Sequence, residues 1–460
     1  MRILGLCANW VLESKGVNVL ADTTQQAGIR PNLQQFLWLV FSTILVGMTV
    51  GLERTVIPLL GKDVYHITST TLIFAFIVAF GLTKAILNLV AGHFSDAVGR
   101  RPVLIMGWLL GIPMMALLLF VHTWSAVILA NIFLGANQAF AWTMTITKQL
   151  DLVGPRERGL AMGVNEATGY IGVSVSTILT GVIAARYGLL QAPFVYGAAV
   201  LLVGLGVSVL IIRETRGHVL QETKTNAAAL AQDMSRNMPR GQSASERVGI
   251  GKIFWITTVG NPTLSAISQA GLVNKLADTL VWAMLPLYLA NLHASIVAIG
   301  LIGGVYTMVW GFAQFGTGIL SDKIGRKPPI VAGMGLLGVG ILAFGFGHAF
   351  VWWIVTAGIM GLGMALLYPN LNAAVADVAP PKIRGGVLGV YRLWRDGGYA
   401  IGGLLLGVTS RSLGMLHSVD LIGVIVLISM GVLLFRMQET HPLLRKTGNT
   451  EEGEGAFPSA

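Results

Sequence analysis

Charge is what this chain has least of. Of its 460 residues only 11% are Asp, Glu, Lys or Arg, against about 25% in an ordinary soluble domain. So little charge cannot cover a water-exposed globular surface, which excludes a soluble fold. Cysteine is almost absent: Cys7 stands alone, so neither an intrachain disulfide nor a cysteine-held metal cluster is expected. Nucleotide and catalytic motifs are missing as well. There is no G-x-x-x-x-G-K-[ST] loop, which removes ATP as a direct energy source. The eight histidines show no H-E-x-x-H or other ligand spacing, and no G-x-S-x-G elbow sits in a strand–helix setting. An enzyme is therefore not expected, nor is a cofactor or metal.

Basic residues outnumber acidic ones, 31 to 21, for a net charge of +10. In a soluble protein that excess points to nucleic acid. Here Lys and Arg gather in alternate loops, the pattern that orients membrane proteins, so a nucleic-acid partner is not expected.

Apolar sequence is abundant, at 54% of residues, in runs of about 20 that each suffice to cross about 30 Å of hydrocarbon. The lipid bilayer is thus the first expected partner. The 58 glycines suit close helix packing, because lipid gives little hydrophobic drive between helices and small residues let backbones approach. Spans are read near 36–60, 70–94, 102–121, 125–148, 160–185 and 190–212, and again near 263–290, 295–320, 329–348, 350–376, 385–410 and 418–436. The fold class is therefore an all-α membrane protein of two six-helix bundles. The expected divisions are an N-terminal extension 1–35, a first bundle 36–212, a linker 213–262, a second bundle 263–437 and a tail 438–460. The patch from Ile3 to Leu12 is broken by Asn9 and makes a poor signal peptide. One set of loops carries Arg100, Arg101, Arg156, Arg158, Lys323, Arg326, Lys327, Lys382 and Arg384, while the opposite set carries mainly Lys62, Arg186 and Arg411. The rich set should be cytoplasmic, with both termini inside. The short loops suggest a prokaryotic plasma (inner) membrane, and a monomer is expected.

A charged turn occurs twice. The first copy runs from Gly92 through Asp96, Gly99, Arg100 and Arg101 to Pro102; the second runs from Gly318 through Asp322, Gly325, Arg326 and Lys327 to Pro328. The offset is 226 residues at every shared position. It recurs where Asp151, Pro155, Arg158 and Gly159 answer to Asp377, Pro381, Arg384 and Gly385, and Arg213-Glu214-Thr215 has a looser echo in Gln438-Glu439-Thr440. Two six-span units in the same orientation imply a pseudo-two-fold axis along the membrane normal.

These turns resemble the loop signature of the major facilitator superfamily, G-x-L-a-D-r-x-G-r-k, with Phe94 in place of the usual Leu. The likeness covers about residues 36–436. It implies a secondary transporter that alternates access to a central site, with the turn residues acting as gates that latch the outward-facing state. The alternative for the basic residues is that they fix topology alone.

Charge inside a span is costly and marks function by default. Glu53 and Arg54 fall in the first span and Asp278 in the seventh, with Glu53 and Asp278 nearly superposed by the repeat. Either acid suits proton or cation binding; the alternative is internal ion pairing, Glu53 with a basic residue on a neighbouring helix and Asp278 with Lys275. Lys84 in the second span and Asp396 in the eleventh form a candidate gate pair, and Arg392 and Arg395 suit an anionic substrate. Glu166 is expected at the opposite interface, with the second charged turn. Asn137, Gln138, Trp142 and Tyr368 are candidate pocket residues, the last two being repeat equivalents that suit ring stacking.

Relatives that export drugs with protons often carry an arginine in the fourth span, where this chain has Asn131. The expectation is proton-linked export of a small amphipathic or cationic compound, based on the first-span acid, with an ion gradient in place of a cofactor. The alternatives are uptake of a small anionic or polar metabolite through Arg54, Arg392 and Arg395, or a non-transporting sensor or assembly factor on the same fold.

Overall fold

A computed structural model describes residues 27–153, 157–217, 249–380, 383–442 and 444. The expectations for the first 26 residues, most of the linker, Pro155, Arg156, Pro381, Lys382 and most of the tail lie outside the described residues. Among the described residues twelve long helices form: α1 (Leu33–Val64), α2 (70–98), α3 (Arg100–Phe120), α4 (Trp124–Leu152), α5 (Arg158–Tyr187), α6 (Ala192–Leu210), α7 (262–291), α8 (Ile296–Ile324), α9 (Lys327–Phe344), α10 (Phe350–Val378), α11 (Arg384–Ser412) and α12 (Met415–Arg436). A short helix, Ile250–Gly260, precedes α7. Among the described residues there is no strand.

Ten of these helices are long and apolar enough to cross a membrane, which makes this a multi-pass membrane protein. The two that fall short are α7 and α11. Helix α7 is interrupted at Leu280–Met284 by a wider, π-type turn, with Pro286 just beyond. Helix α11 carries Arg384, Arg392, Arg395, Asp396 and Arg411. They pack on each other, so the mid-helix charges Lys275, Asp278, Arg395 and Asp396 are buried in protein rather than exposed to lipid.

The pairing of helices repeats. In the first half α1 packs on α5 and α6, α2 on α4, and α3 on α4 and α6. In the second half α7 packs on α11 and α12, α8 on α10, and α9 on α10 and α12. Between the halves α2 meets α11 and α5 meets α8, which the same two-fold exchanges. Glycine makes the closest crossings possible. A Cβ on Gly47 of α1 would lie 2.0 Å from the Gly169 carbonyl oxygen of α5, and one on Gly398 of α11 would lie 2.2 Å from that of Leu272 on α7.

Polar bridges between the halves start at the end away from the charged turns. There Lys62 donates to Asn291 at 2.6 Å, and the Thr70 and Ser410 hydroxyls meet at 2.6 Å. They continue to mid-helix and stop. Among the described residues no hydrogen bond near the charged turns crosses between the halves.

Candidate functional site

Asp278 sits at the centre, fully buried, two residues before the wide turn of α7. Arg54 of α1 grips it from the other half with two hydrogen bonds of 2.9 and 3.0 Å. Lys275 donates at 3.3 Å, and the hydroxyls of Tyr306 and Tyr399 donate at 3.3 and 2.6 Å. Five donors on one carboxylate satisfy a charge that would otherwise be prohibitive to bury. Lys275 also reaches the Tyr170 hydroxyl of α5 at 3.0 Å, and it lies 4.6 Å from the Trp310 ring centre and 4.9 Å from that of Tyr368. The pairing of Asp278 with Lys275 is thus made, and Arg54 joins it.

A narrow cavity of about 30 Å³ adjoins this cluster on the charged-turn side, room for about two waters. Lys84, Arg392 and Arg395 line it, along with Arg54, Gln138, Trp142, Glu166, Tyr170, Tyr368 and Tyr399. Trp142 and Tyr368 stand on either side of Tyr170, with ring centres 5.6 and 5.7 Å away, and Tyr170 stacks on Trp310 at 3.6 Å. The repeat-equivalent aromatics therefore do share one wall. Nothing in the hydropathy pattern distinguished Tyr170, Trp310 and Tyr399 from ordinary core aromatics, although 310 lies 226 residues beyond Lys84.

Four expectations change. Glu53 is fully buried but does not line the cavity. Successive helical residues point about 100° apart, and it is Arg54 that faces the centre. Glu53 faces α4, where Asn131 is its polar neighbour, and neither of its oxygens has a well-formed hydrogen bond. Lys84 makes no ion pair with Asp396. Its ammonium rests against the rings of Phe80, Trp142 and Tyr399 at 5.5, 5.6 and 6.0 Å. Asn88, one turn further along α2, donates to Asp396 at 2.5 Å instead, and Arg395 supplies two more donors at 2.9 and 3.0 Å. Glu166 is in the cavity wall rather than at the second charged turn, accepting from the Trp142 indole at 3.3 Å. Asn137 points away from the cavity and donates to the Gly107 carbonyl of α3 at 2.7 Å, which makes it a helix–helix tie. Gln138 does line the cavity, but its amide is spent on Val46 and Thr49 of α1.

The Major Facilitator Superfamily model matches residues 39–267 and 267–459. The chain belongs to that superfamily. A methyl viologen resistance protein, SmvA, of Salmonella typhimurium is 34% identical over 130 residues, 28% of this chain and 26% of its own length. A hexuronate transporter of Bacillus subtilis is 27% identical over 183 residues, 39% of this chain and 43% of its own. The quinolone resistance protein NorA of Staphylococcus aureus is 27% identical over 136 residues, 29% of this chain and 35% of its own. The matched stretches thus span less than half of each relative. A solved POT family transporter, in complex with a thioalcohol-conjugated peptide, shares the fold with a TM-score of 0.67 at 14% identity, over 87% of this chain and 95% of its own.

The superfamily's signature turn is built here as a staple within each half. Gly99 and Gly325 hold φ of +110° and +97°, a region essentially closed to side chains. Their turns aim the first N–H groups of α3 and α9 at a carboxylate. Glu214 accepts from Arg100 and Arg101 at 3.1 and 2.8 Å, and Glu439 accepts from Arg326 and Lys327 at 2.8 and 3.1 Å. A carboxylate at a helix N-terminus also meets the positive end of the helix dipole. Burial opposes ionisation at Glu214, but Lys148 and the backbone donors of Arg101, Thr215 and Arg100 outweigh it, leaving the carboxyl below its ordinary range. At Glu439 burial is likewise outweighed, by the backbone donors of His441, Arg326, Lys327 and Thr440. Arg100 pairs with Asp96 and Asp151, and Arg326 with Asp322 and Asp377. All these partners are in the same half. Asp96 and Asp322 stay 68% and 62% exposed, so the latch to the opposite half is not made in this conformation.

Proposed function

We propose that this superfamily member is a secondary transporter working by alternating access, and that its central cavity takes a small organic anion. One observation carries the anion reading. Lys84 and Arg392 line the cavity from opposite halves, and neither has an ion-pair partner among the described residues. Asp278 and Asp396, which could have neutralised them, are already held by Arg54, Lys275 and Arg395. An anion seated between Lys84 and Arg392 bridges the two halves, beside the rings of Trp142, Tyr170 and Tyr368, of which Trp142 and Tyr368 each stand edge-to-face to Tyr170. Likeness to a hexuronate transporter agrees with an anionic substrate.

The Lys and Arg excess supports a cytoplasmic position for the charged turns, and on this reading the membrane is a plasma membrane and the working unit a monomer. On that orientation the bridges at the other end close the outer side. Closing the cytoplasmic side then brings Asp96 and Asp322 onto the opposite half, with Arg100, Arg101, Arg326 and Lys327 holding their helix ends in place. A proton gradient supplies the energy.

A second reading, export of an amphipathic or cationic compound, is supported by the likeness to SmvA and NorA. Thermal unfolding of the purified protein with benzoate, succinate, glucuronate and lipophilic cations separates the two. Stabilisation by an anion that disappears in Arg392→Gln and persists in Glu53→Gln is expected. Stabilisation by cations alone, weakened in Glu53→Gln, establishes export and refutes the anion site.

A further inference from the structure

Glu166 is the cavity carboxylate that the anion reading leaves without a task. It is buried in the cavity wall; one oxygen accepts only the 3.3 Å contact from Trp142, and the other has no partner. Its repeat equivalent, 226 residues on, is Arg392. The two-fold therefore places an acid and a base at matching positions on α5 and α11, facing one narrow space. The charged groups facing Glu166 are Lys84 of α2, Lys275 of α7, and Arg392 and Arg395 of α11. Neutral tyrosines complete its surroundings: Tyr170 on its own helix, Tyr368 of α10 and Tyr391 of α11. The nearby carboxylates of Asp278 and Asp396 are held by their own partners.

We infer that Glu166 is a built-in counter-anion, and that it takes up one proton when a substrate carboxylate enters between Lys84 and Arg392. This rests on the anion reading above. With Glu166 ionised, the protein itself offsets part of the positive charge that Lys84 and Arg392 bring to the cavity. A second carboxylate brought into a space of about 30 Å³ meets Glu166 as a like charge with almost no water to screen it, and one of two such carboxyls is driven to protonate. Once neutral, Glu166 gives up its claim on the cations and becomes a hydrogen-bond donor toward the substrate. One anion charge and one proton then enter together, so the occupied cavity carries the same net charge as the empty one. Glu53 cannot do this, because it faces Asn131 and not the cavity.

The test uses the full chain in lipid nanodiscs, with benzoate and succinate as probes. Infrared titration without added anion reads whether a carboxyl band tied to Glu166 protonates; calorimetric titration reads affinity against pH. The wild type should bind about tenfold more tightly for each unit fall in pH above the Glu166 transition. Glu166→Gln should bind as tightly as the low-pH wild type at every pH, and should lose the protonated-carboxyl band that benzoate or succinate induces. Glu53→Gln should keep both behaviours. A pH slope or an anion-induced band that survives in Glu166→Gln overturns the assignment while leaving the anion site intact. If neither anion binds the wild type at any pH, the anion reading fails. The ligand-free titration then decides the proton site alone: a band lost in Glu166→Gln supports it, and an unchanged spectrum overturns it.

Discussion

The two charged turns and the central cavity derive from the same duplicated unit, yet one has kept its symmetry and the other has lost it. At the turns every part has its counterpart: Gly99 and Gly325, Arg100 and Arg326, Asp151 and Asp377, Glu214 and Glu439 make matching bonds in each half. In the cavity the counterparts differ in kind. Glu166 answers to Arg392, Lys84 to Trp310 and Tyr170 to Asp396. The turns perform a task each half needs alone, holding four helix ends together, so both copies stay the same. On the proposed function the cavity binds something without two-fold symmetry, and identical linings would place like charges opposite each other. Function here shows as departure from the repeat.

The comparison breaks most decisively at Asp278. Asp278→Asn leaves Arg54 and Lys275 buried without a counter-charge and should destabilise the protein by about 3–5 kcal/mol, the range for removing one partner of a buried pair. Thermal unfolding measures it, and a loss under about 1 kcal/mol would mean that water reaches the cluster and screens it.

The turns give the next effect. Gly325→Ala and Gly99→Ala should each cost about 1–3 kcal/mol. The second turn should suffer more, since a new Cβ would meet the Glu439 carboxylate at 2.4 Å but that of Glu214 at 3.0 Å. Equal or negligible losses in denaturant unfolding would show that these turns are not the rigid staples described.

The smallest effect depends on pH. Both Glu214 and Glu439 are held below their ordinary range in the folded chain, so each contributes stability above the unfolded value of about 4.3. That contribution disappears as pH falls through the lower folded value. The melting temperatures of wild type and of Glu214→Gln with Glu439→Gln should therefore differ near neutrality and converge in acid. A gap that widens toward acid would reverse the sign and refute the capping role.

Much of this was readable beforehand, and the misses have one cause. The turns were legible because their parts lie within a few residues of each other and recur at a fixed spacing. Asp278, Arg395, Trp142 and Tyr368 were legible because a charge or a repeated aromatic inside a span is rare enough to stand out. Glu53 and Arg54 were equally visible, but adjacent residues face different directions and the sequence does not say which faces inward. Lys84 was matched to Asp396 by helix assignment alone, and Asn88, one turn away, took the bond. Glu166 was placed by its distance from the end of its helix, which says nothing of its azimuth.

By itself the sequence determined the spans, the duplication and the turns, because hydropathy and turn chemistry act over a few residues. Only the tertiary structure decided which polar side chains share the cavity. That depends on how each helix is rotated about its axis, and the rotation is set by contacts such as Gly47 on Gly169 and Gly398 on Leu272, which join residues more than a hundred positions apart.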